Sequence, residues 1–135
     1  MSYAPPIVFV VDDDVSVRES LELLIESAGW QSQTFASAKE FLAHSPDQPV
    51  PHCLVLDVNL ADFTSLELQQ SLALNRNDMP VIVISGYDAG DATVRAMKAG
   101  ALAFLTKPLD ADALLRAIEQ AIERSRMTLG REGEV

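Results

Sequence analysis

Short apolar runs alternate with longer segments of helical period, and this alternation restricts the fold more than any other feature. The second run is polar enough for an edge strand, whereas three others are apolar on both faces, as expected of central strands covered by helices on both sides. The pattern predicts βα units that build a parallel sheet, and therefore an α/β fold. The five runs are Ile7 to Val11, Gln31 to Phe35, Leu54 to Asp57, Val81 to Ser85 and Ala103 to Leu105.

Capping residues and helical spacing predict five helices between and after these runs. Apolar residues from Val17 to Ala28 recur at helical spacing, and Gly29 follows as a stop. The second and third helices begin at possible capping boxes, in which a hydroxyl residue precedes a glutamate by three positions. These boxes are Ser37 with Glu40 and Thr64 with Glu67. The fourth helix is predicted from about Asp91 to Ala99, ended by Gly100, and Asp110 is predicted to cap the fifth.

The length and composition indicate one domain. The chain has 135 residues, 48% of them hydrophobic, which is enough to bury a core. We predict a domain over residues 5–127, and a flexible tail or the start of a linker over the polar residues 128–135. The segment His44 to His52 contains three prolines and is predicted to be one loop.

Charge and hydropathy exclude several classes of function. The net charge of −10 and the scattered basic residues argue against a nucleic-acid surface, because phosphate contacts need clustered Lys and Arg. No apolar stretch approaches the roughly 18 residues of a membrane span, and the first residues do not resemble a signal peptide, so we expect a cytoplasmic protein. The single cysteine, Cys53, opens an apolar run and is predicted to lie in the core rather than to act as a nucleophile.

Three aspartates lie where two of the apolar runs end. Asp12 and Asp13 follow the first run, and Asp57 ends the third. If these runs are neighbouring parallel strands, the carboxylates converge in the crevice where such sheets bind ligands. Mutual repulsion then either raises their pKa values or draws in a cation, and hard oxygen ligands favour Mg²⁺. The acidic triplet alone would more often be a turn and a helix cap, and we assign Asp14 to capping.

Two further strand ends carry polar groups. The fourth run ends in Ser85 and Gly86, which offer a hydroxyl and accessible backbone N–H groups, and the fifth leads through Thr106 to Lys107 and Pro108. Singly, Ser85 is more often a turn residue and Lys107 a surface lysine. Together with metal-binding acids, they supply what a phosphoryl group needs: a cation, a hydrogen-bond donor and a counter-charge.

The order and spacing of these motifs resemble the receiver domain of two-component response regulators, the flavodoxin-like phosphoacceptor module. The resemblance covers Ile7 to Arg124 and is closest to receivers that precede a helix-turn-helix DNA-binding domain. It implies a doubly wound, five-stranded parallel sheet of order 2-1-3-4-5 with five helices. The motifs are Asp12-Asp13, Asp57, Ser85-Gly86, Ala96 to Ala101 and Lys107-Pro108.

The resemblance also implies a chemistry. Asp57 would take a phosphoryl group from a phosphohistidine of a sensor histidine kinase, and the domain would catalyse only its own phosphotransfer and dephosphorylation. Asp13, Asp57 and the carbonyl of Asn59 would hold Mg²⁺, with Asp12 acting largely through water. Ser85 and Lys107 would contact the phosphoryl oxygens, and the Lys107-Pro108 bond would be cis.

A conformational switch and partners follow from the same resemblance. Ser85 would move toward the phosphoryl group while Phe104 turns inward, although simple core packing explains Phe104 equally well. The responding face would comprise the fourth helix, fifth strand and fifth helix, on which a homodimer could form after phosphorylation. The kinase would dock on the first helix near Val15, Arg18 and Glu22, and the output would be transcription through a domain absent from this sequence.

The chain departs from the family in the loop after Asp57. Ala61 and Ser65 stand where receivers usually carry Pro and Gly, so we expect altered loop geometry, metal affinity or phosphoryl lifetime. A Mg²⁺-dependent phosphohydrolase is one alternative, but it would need an acid where Asn59 stands. A pseudo-receiver, which binds partners without phosphorylation, is the other.

Overall fold

The computed structural model describes residues 5–43, 50–58, 79–86 and 90–133, and within the last segment it places side chains for residues 93–128. Five parallel strands form one sheet of order β2-β1-β3-β4-β5, which confirms the predicted topology and the edge position of β2. The strands are β1 (Ile7–Val11), β2 (Gln31–Phe35), β3 (His52–Asp57), β4 (Val81–Ser85) and β5 (Ala103–Thr106).

Four helices fall within the described residues. The third and fourth of them correspond to the predicted fourth and fifth helices, whereas the predicted third helix, with its capping box, lies outside the described residues. Among the described residues, no helix has the length and apolar character needed to cross a membrane. The helices are α1 (Val15–Ser27), α2 (Ala38–Ala43), α3 (Gly90–Lys98) and α4 (Ala111–Gly133).

Hydrogen bonds confirm three of the predicted helix starts. Asp14 is the N-cap of α1, and its carboxylate accepts the Ser16 N–H at 2.8 Å. The Ser37 hydroxyl accepts the Glu40 N–H at 3.2 Å, which satisfies one of the open donors at the start of α2. The Asp110 carboxylate does the same for α4. Local polar side chains therefore determine where these helices begin.

Two glycines end helices as predicted. Gly29 follows α1 with φ of 92°, and Gly100 follows α3 with φ of 102°. These left-handed conformations are costly for residues with a Cβ atom, which explains glycine at both positions. Each turn returns the chain to the sheet for the next strand.

The core lies on both faces of the sheet, because successive side chains of each strand point to opposite faces. On β1, Val8 and Val10 pack with α1 and α4, whereas Phe9 and Val11 pack with α2 and α3. All side chains of β3 and β4 are buried. This two-sided burial explains why the central runs lack the polar alternation of β2.

The structure corrects the predicted loop from His44 to His52 at its last residue. His52 is buried and is the first residue of β3. Its backbone N–H donates to the Ser125 hydroxyl at 3.0 Å, and its ring lies 6.3 Å from that of Phe9. A polar residue beside prolines looked like loop, but contacts from α4 and β1 draw it into the sheet.

The structure also corrects the backbone expected after residue 127. Residues 128–133 continue α4 as helix instead of forming a flexible tail. Extending an existing helix costs far less than starting one, so composition alone was a poor guide to its end. Whether residues 128–135 begin a linker stays a prediction.

Phe41→Ala is expected to lower the free energy of unfolding by about 3–5 kcal/mol, because it removes a fully buried ring and leaves a cavity. The Phe41 ring lies 5.6 Å from that of Phe9 and 5.5 Å from that of Phe35. Leu23→Ala is the matched control, since Leu23 is 74% exposed. Urea denaturation monitored by circular dichroism measures both, and equal losses for the two variants would contradict this account of the core.

Candidate functional site

The register of the sheet brings the carboxyl ends of four strands to one edge. Val11 pairs with Leu56, and Ser85 pairs with Thr106. The residues that follow or end these strands therefore meet at this edge, as expected for a parallel sheet. They are Asp12, Asp13, Asp57, Ser85 and Lys107.

The three predicted carboxylates form a compact group. Asp12, Asp13 and Asp57 each offer an oxygen, and these oxygens lie within 4.8 Å of one another. Asp12 is fully buried and Asp57 is 3% exposed, whereas Asp13 is exposed. Such spacing lets several carboxylates contact one cation, and the exposed member leaves a side through which the cation can enter.

Lys107 supplies a positive charge to the same group. Its ammonium nitrogen lies 3.2 Å from Oδ2 of Asp12 and 3.8 Å from Oδ1 of Asp57. The Lys107 backbone N–H donates to the Ser85 carbonyl at 2.7 Å, and the Lys107–Pro108 peptide is cis, as predicted. One ammonium thus pairs with two buried carboxylates, and burying these charges without a cation would cost folding free energy.

Asp12 is held at four points. Its N–H donates to the Phe35 carbonyl at 3.1 Å, and its Oδ1 accepts the Asp14 N–H at 2.9 Å. The Lys107 ammonium donates to Oδ2 of Asp12, and the Arg18 guanidinium donates to the Asp12 carbonyl at 2.7 Å. Both the backbone and the carboxylate of Asp12 are therefore anchored.

Arg18 is the residue at this site that the sequence interpretation missed, because it assigned Arg18 to kinase docking alone. A signal was present: a cation in the opening turns of the helix that follows an acidic loop. Cations near a helix N-terminus are disfavoured by the helix dipole, which suggests a compensating partner there.

Comparison with known proteins identifies the family to which this arrangement belongs. The sequence model of the response regulator receiver domain family matches residues 8–119. The chain belongs to this family. Phosphorylation by a kinase is the general function of its members.

The relatives of this receiver include regulators of transcription. Nodulation protein W of Bradyrhizobium diazoefficiens is 46% identical over 121 residues, which cover 89% of this chain and 52% of the relative. Transcriptional regulatory protein TdiR of Thauera aromatica is 39% identical over 128 residues, 94% of this chain and 56% of the relative. The chain spans about half the length of the curated relatives that it matches.

Solved structures agree with the fold. Response regulator StyR is 44% identical with a TM-score of 0.86, and the match covers 97% of this chain and 66% of that one. The beryllofluoride-activated NtrC4 receiver domain dimer is 33% identical with a TM-score of 0.81, covering 88% of this chain and 98% of that one. Both support the receiver assignment.

Two predicted switch residues lie on neighbouring strands of this receiver. Ser85 is fully buried at the end of β4. Phe104 on β5 is half-buried and packs against the hydrophobic core on the α2 and α3 side of the sheet. This contact agrees with the simpler of the two interpretations of Phe104 from sequence, which was core packing. The inward movement of Phe104 stays a prediction. Asn59, Ala61 and Ser65 lie outside the described residues.

A groove of about 380 Å³ runs beside the receiver's acidic site, between α1 and the segment after β5. Its walls are mostly apolar, and Lys107 lies at one side. It therefore joins the surface of α1 to the edge of the sheet that carries the acidic group. The lining includes Val17, Leu21, Leu24, Lys107, Pro108 and Leu109.

Cys53 belongs to the core of this receiver and not to the site. It is fully buried on β3, and this burial raises the pKa of its thiol to about 12. The raised pKa keeps the thiol protonated near neutral pH, which confirms the structural role predicted from sequence.

Alkylation of Cys53 by iodoacetamide near pH 8 is expected to be at least about a hundredfold slower in the native protein than in urea, because only the accessible thiolate reacts. Mass spectrometry at timed intervals measures both rates, and Cys53→Ala serves as the unlabelled control. Similar rates in the two conditions would show that Cys53 is accessible.

Proposed function

We propose that this receiver accepts a phosphoryl group on Asp57 from a sensor histidine kinase in a Mg²⁺-dependent reaction. The observation that carries the proposal is the position of Asp57: it ends β3, is buried, lies within the aspartate group, and has one oxygen 3.8 Å from the Lys107 ammonium. Burial and a fixed counter-charge suit a reactive carboxylate better than a surface acid.

The donor set fits Mg²⁺, since carboxylate oxygens from different segments converge within 4.8 Å and thiolate and imidazole ligands are absent from this group. Asp13 and Asp57 would hold the ion, with Asp12 acting largely through water. The predicted Asn59 carbonyl ligand lies outside the described residues. When bound, the ion would offset negative charge on the phosphoryl oxygens.

The residues of the chain supply the remaining chemistry. A carboxylate oxygen of Asp57 attacks the phosphorus of a phosphohistidine, so that a P–O bond forms while the P–N bond breaks and its electron pair returns to the imidazole. Phosphorylation removes the carboxylate charge of Asp57 and brings the negative charge of the phosphoryl oxygens into the site. Lys107, which already lies beside Asp57, can then pair with those oxygens, and the Ser85 hydroxyl can donate to them. The domain would process only its own phosphoryl group and would act on no other substrate.

The responding surface is proposed to comprise α3, β5 and α4. It carries exposed apolar side chains, Val94 and Met97, next to the cations Arg95 and Lys98. The NtrC4 receiver forms a dimer when activated by beryllofluoride. We infer that phosphorylation promotes a homodimer of this receiver through the same kind of surface.

The proposed output is transcription, through a helix-turn-helix domain outside this sequence. The support is the group of relatives named transcriptional regulators, of which this chain spans about half. Because the histidine kinase would use ATP, we also infer that the receiver acts in the cytoplasm.

Incubation with acetyl phosphate and Mg²⁺ is expected to add one phosphoryl group to the parent protein, because the proposed site needs no kinase for its own chemistry. Intact-mass spectrometry measures the adduct. Asp57→Asn and removal of Mg²⁺ with a chelator should each abolish it, whereas Asp112→Asn, an exposed acid on α4, should leave it unchanged.

The absence of an adduct from a folded parent protein that still binds Mg²⁺ would favour the pseudo-receiver. An adduct that survives in Asp57→Asn would move the phosphoacceptor to another residue.

The double substitution Val15→Ala, Glu22→Ala is expected to slow phosphotransfer from a histidine kinase by roughly fivefold or more, as loss of an interface hot spot would. Both side chains are exposed on α1, the helix that borders the apolar groove. Transfer is measured with a radiolabelled kinase.

The same double variant should react with acetyl phosphate at the parental rate, because both residues are exposed and neither belongs to the acidic group. Glu119→Ala on α4 is the control for a change of surface charge. An unchanged kinase rate in the double variant would remove this part of α1 from the docking surface.

A further inference from the structure

We propose that Arg18 is a positioning residue, which orients the peptide between Asp12 and Asp13 and thereby raises the affinity of the acidic site for its cation. This inference rests on the proposed function, since it concerns the same Mg²⁺ site. It assigns to Arg18 a role that is separate from kinase docking.

The contact itself is short and charged. Nη1 of Arg18 lies 2.7 Å from the Asp12 carbonyl oxygen, across six positions of sequence, and the bond is partly buried. A hydrogen bond from a guanidinium is stronger than one between neutral groups. It is therefore strong enough to select one orientation of the peptide that it contacts.

That peptide leads directly to Asp13. Because the peptide unit is planar, an anchored carbonyl of Asp12 also directs the N–H and Cα of Asp13. Asp13 is the exposed member of the three carboxylates, so neighbouring side chains enclose it less than they enclose Asp12 and Asp57. Its approach to a cation therefore depends strongly on the backbone that carries it.

The other hydrogen bonds of Asp12 hold its N–H and its carboxylate. Its N–H is held by Phe35, and its carboxylate is held by the Asp14 N–H and by Lys107. These contacts fix the backbone N–H of Asp12, where the chain leaves β1, and its side chain. Arg18 contacts the remaining polar group, the carbonyl, and this group belongs to the peptide shared with Asp13.

The location of Arg18 supports a role in the site over a role in helix stability. Asp14 caps α1, so Arg18 lies only four residues into the helix. A cation near the N-terminus of a helix opposes the helix dipole. The unfavourable placement is offset here by the carbonyl of Asp12 and by the negative charge of the acidic group.

Arg18 also differs from the other predicted docking residues in its surroundings. Val15 and Glu22 are exposed, whereas Arg18 is half-buried and is engaged with the loop. A substitution of Arg18 would consequently alter the site even where no kinase is present. This difference allows the two roles to be separated.

The test is isothermal titration calorimetry with Mg²⁺ on the parent, Arg18→Ala, Arg18→Lys and Arg124→Ala. We expect Arg18→Ala to weaken Mg²⁺ binding by about tenfold, the lower range for groups that orient metal ligands. Arg18→Lys retains the charge and one donor and should fall between Ala and the parent. Arg124→Ala makes the same change of charge on an exposed site next to Ser125, at the opposite edge of the sheet, and should match the parent.

A kinetic readout distinguishes positioning from general structural damage. With acetyl phosphate, Arg18→Ala should need about tenfold more Mg²⁺ for its half-maximal rate, yet approach the parental rate at saturating Mg²⁺, because Asp57 and Lys107 remain in place. Urea denaturation without Mg²⁺ establishes that each variant is folded. If Arg18→Ala does not fold, Arg18→Lys carries the test: a Mg²⁺ affinity below the parental value supports the proposal, and parental affinity overturns it.

The outcomes separate this inference from the proposed function. Equal Mg²⁺ affinity of the parent and Arg18→Ala overturns the positioning role and leaves phosphorylation of Asp57 untouched, and a defect confined to kinase transfer returns Arg18 to docking. Weaker Mg²⁺ binding by Arg18→Ala in a protein that forms no phosphoryl adduct supports the positioning role and overturns the proposed function. A parent that binds no Mg²⁺ overturns both.

Discussion

Repulsion among three carboxylates at one edge of the sheet is the constraint on which the rest of this structure depends. Two of these groups are buried, and water therefore screens their charges poorly. The ammonium of Lys107 lies within 4 Å of both and offsets part of the repulsion. The residual negative charge still favours a cation, so the same repulsion that opposes folding makes this group of carboxylates suited to metal binding.

The doubly wound sheet makes this arrangement possible. Helices cover both faces, so the central strands can be apolar throughout, and their ends hold the polar groups of the site in fixed register. Asp57 and Ser85 each end a buried strand. The side chains of β5 lie nearer the surface than those of β3 and β4, so packing restrains them less.

Local chemistry explains which features were predictable. The caps Asp14, Ser37 and Asp110, and the stop at Gly29, depend on neighbours within a few residues, and each was predicted from sequence and confirmed. The errors concern long-range contacts or cooperativity. His52 joins β3 partly through a bond to a residue 73 positions away, and α4 continues past its predicted end because helix extension is inexpensive once a helix exists.

The sequence by itself determined the α/β class and the set of acids, serine and lysine at the strand ends, because these follow from periodicity and from residue type. The strand order came from the family resemblance. Only the tertiary structure decided how those groups face one another. It paired Lys107 with Asp12 across 95 positions and bonded Arg18 to the backbone of Asp12. Such contacts depend on the relative placement of strands and helices, which is set by packing and carries no local signature in the chain.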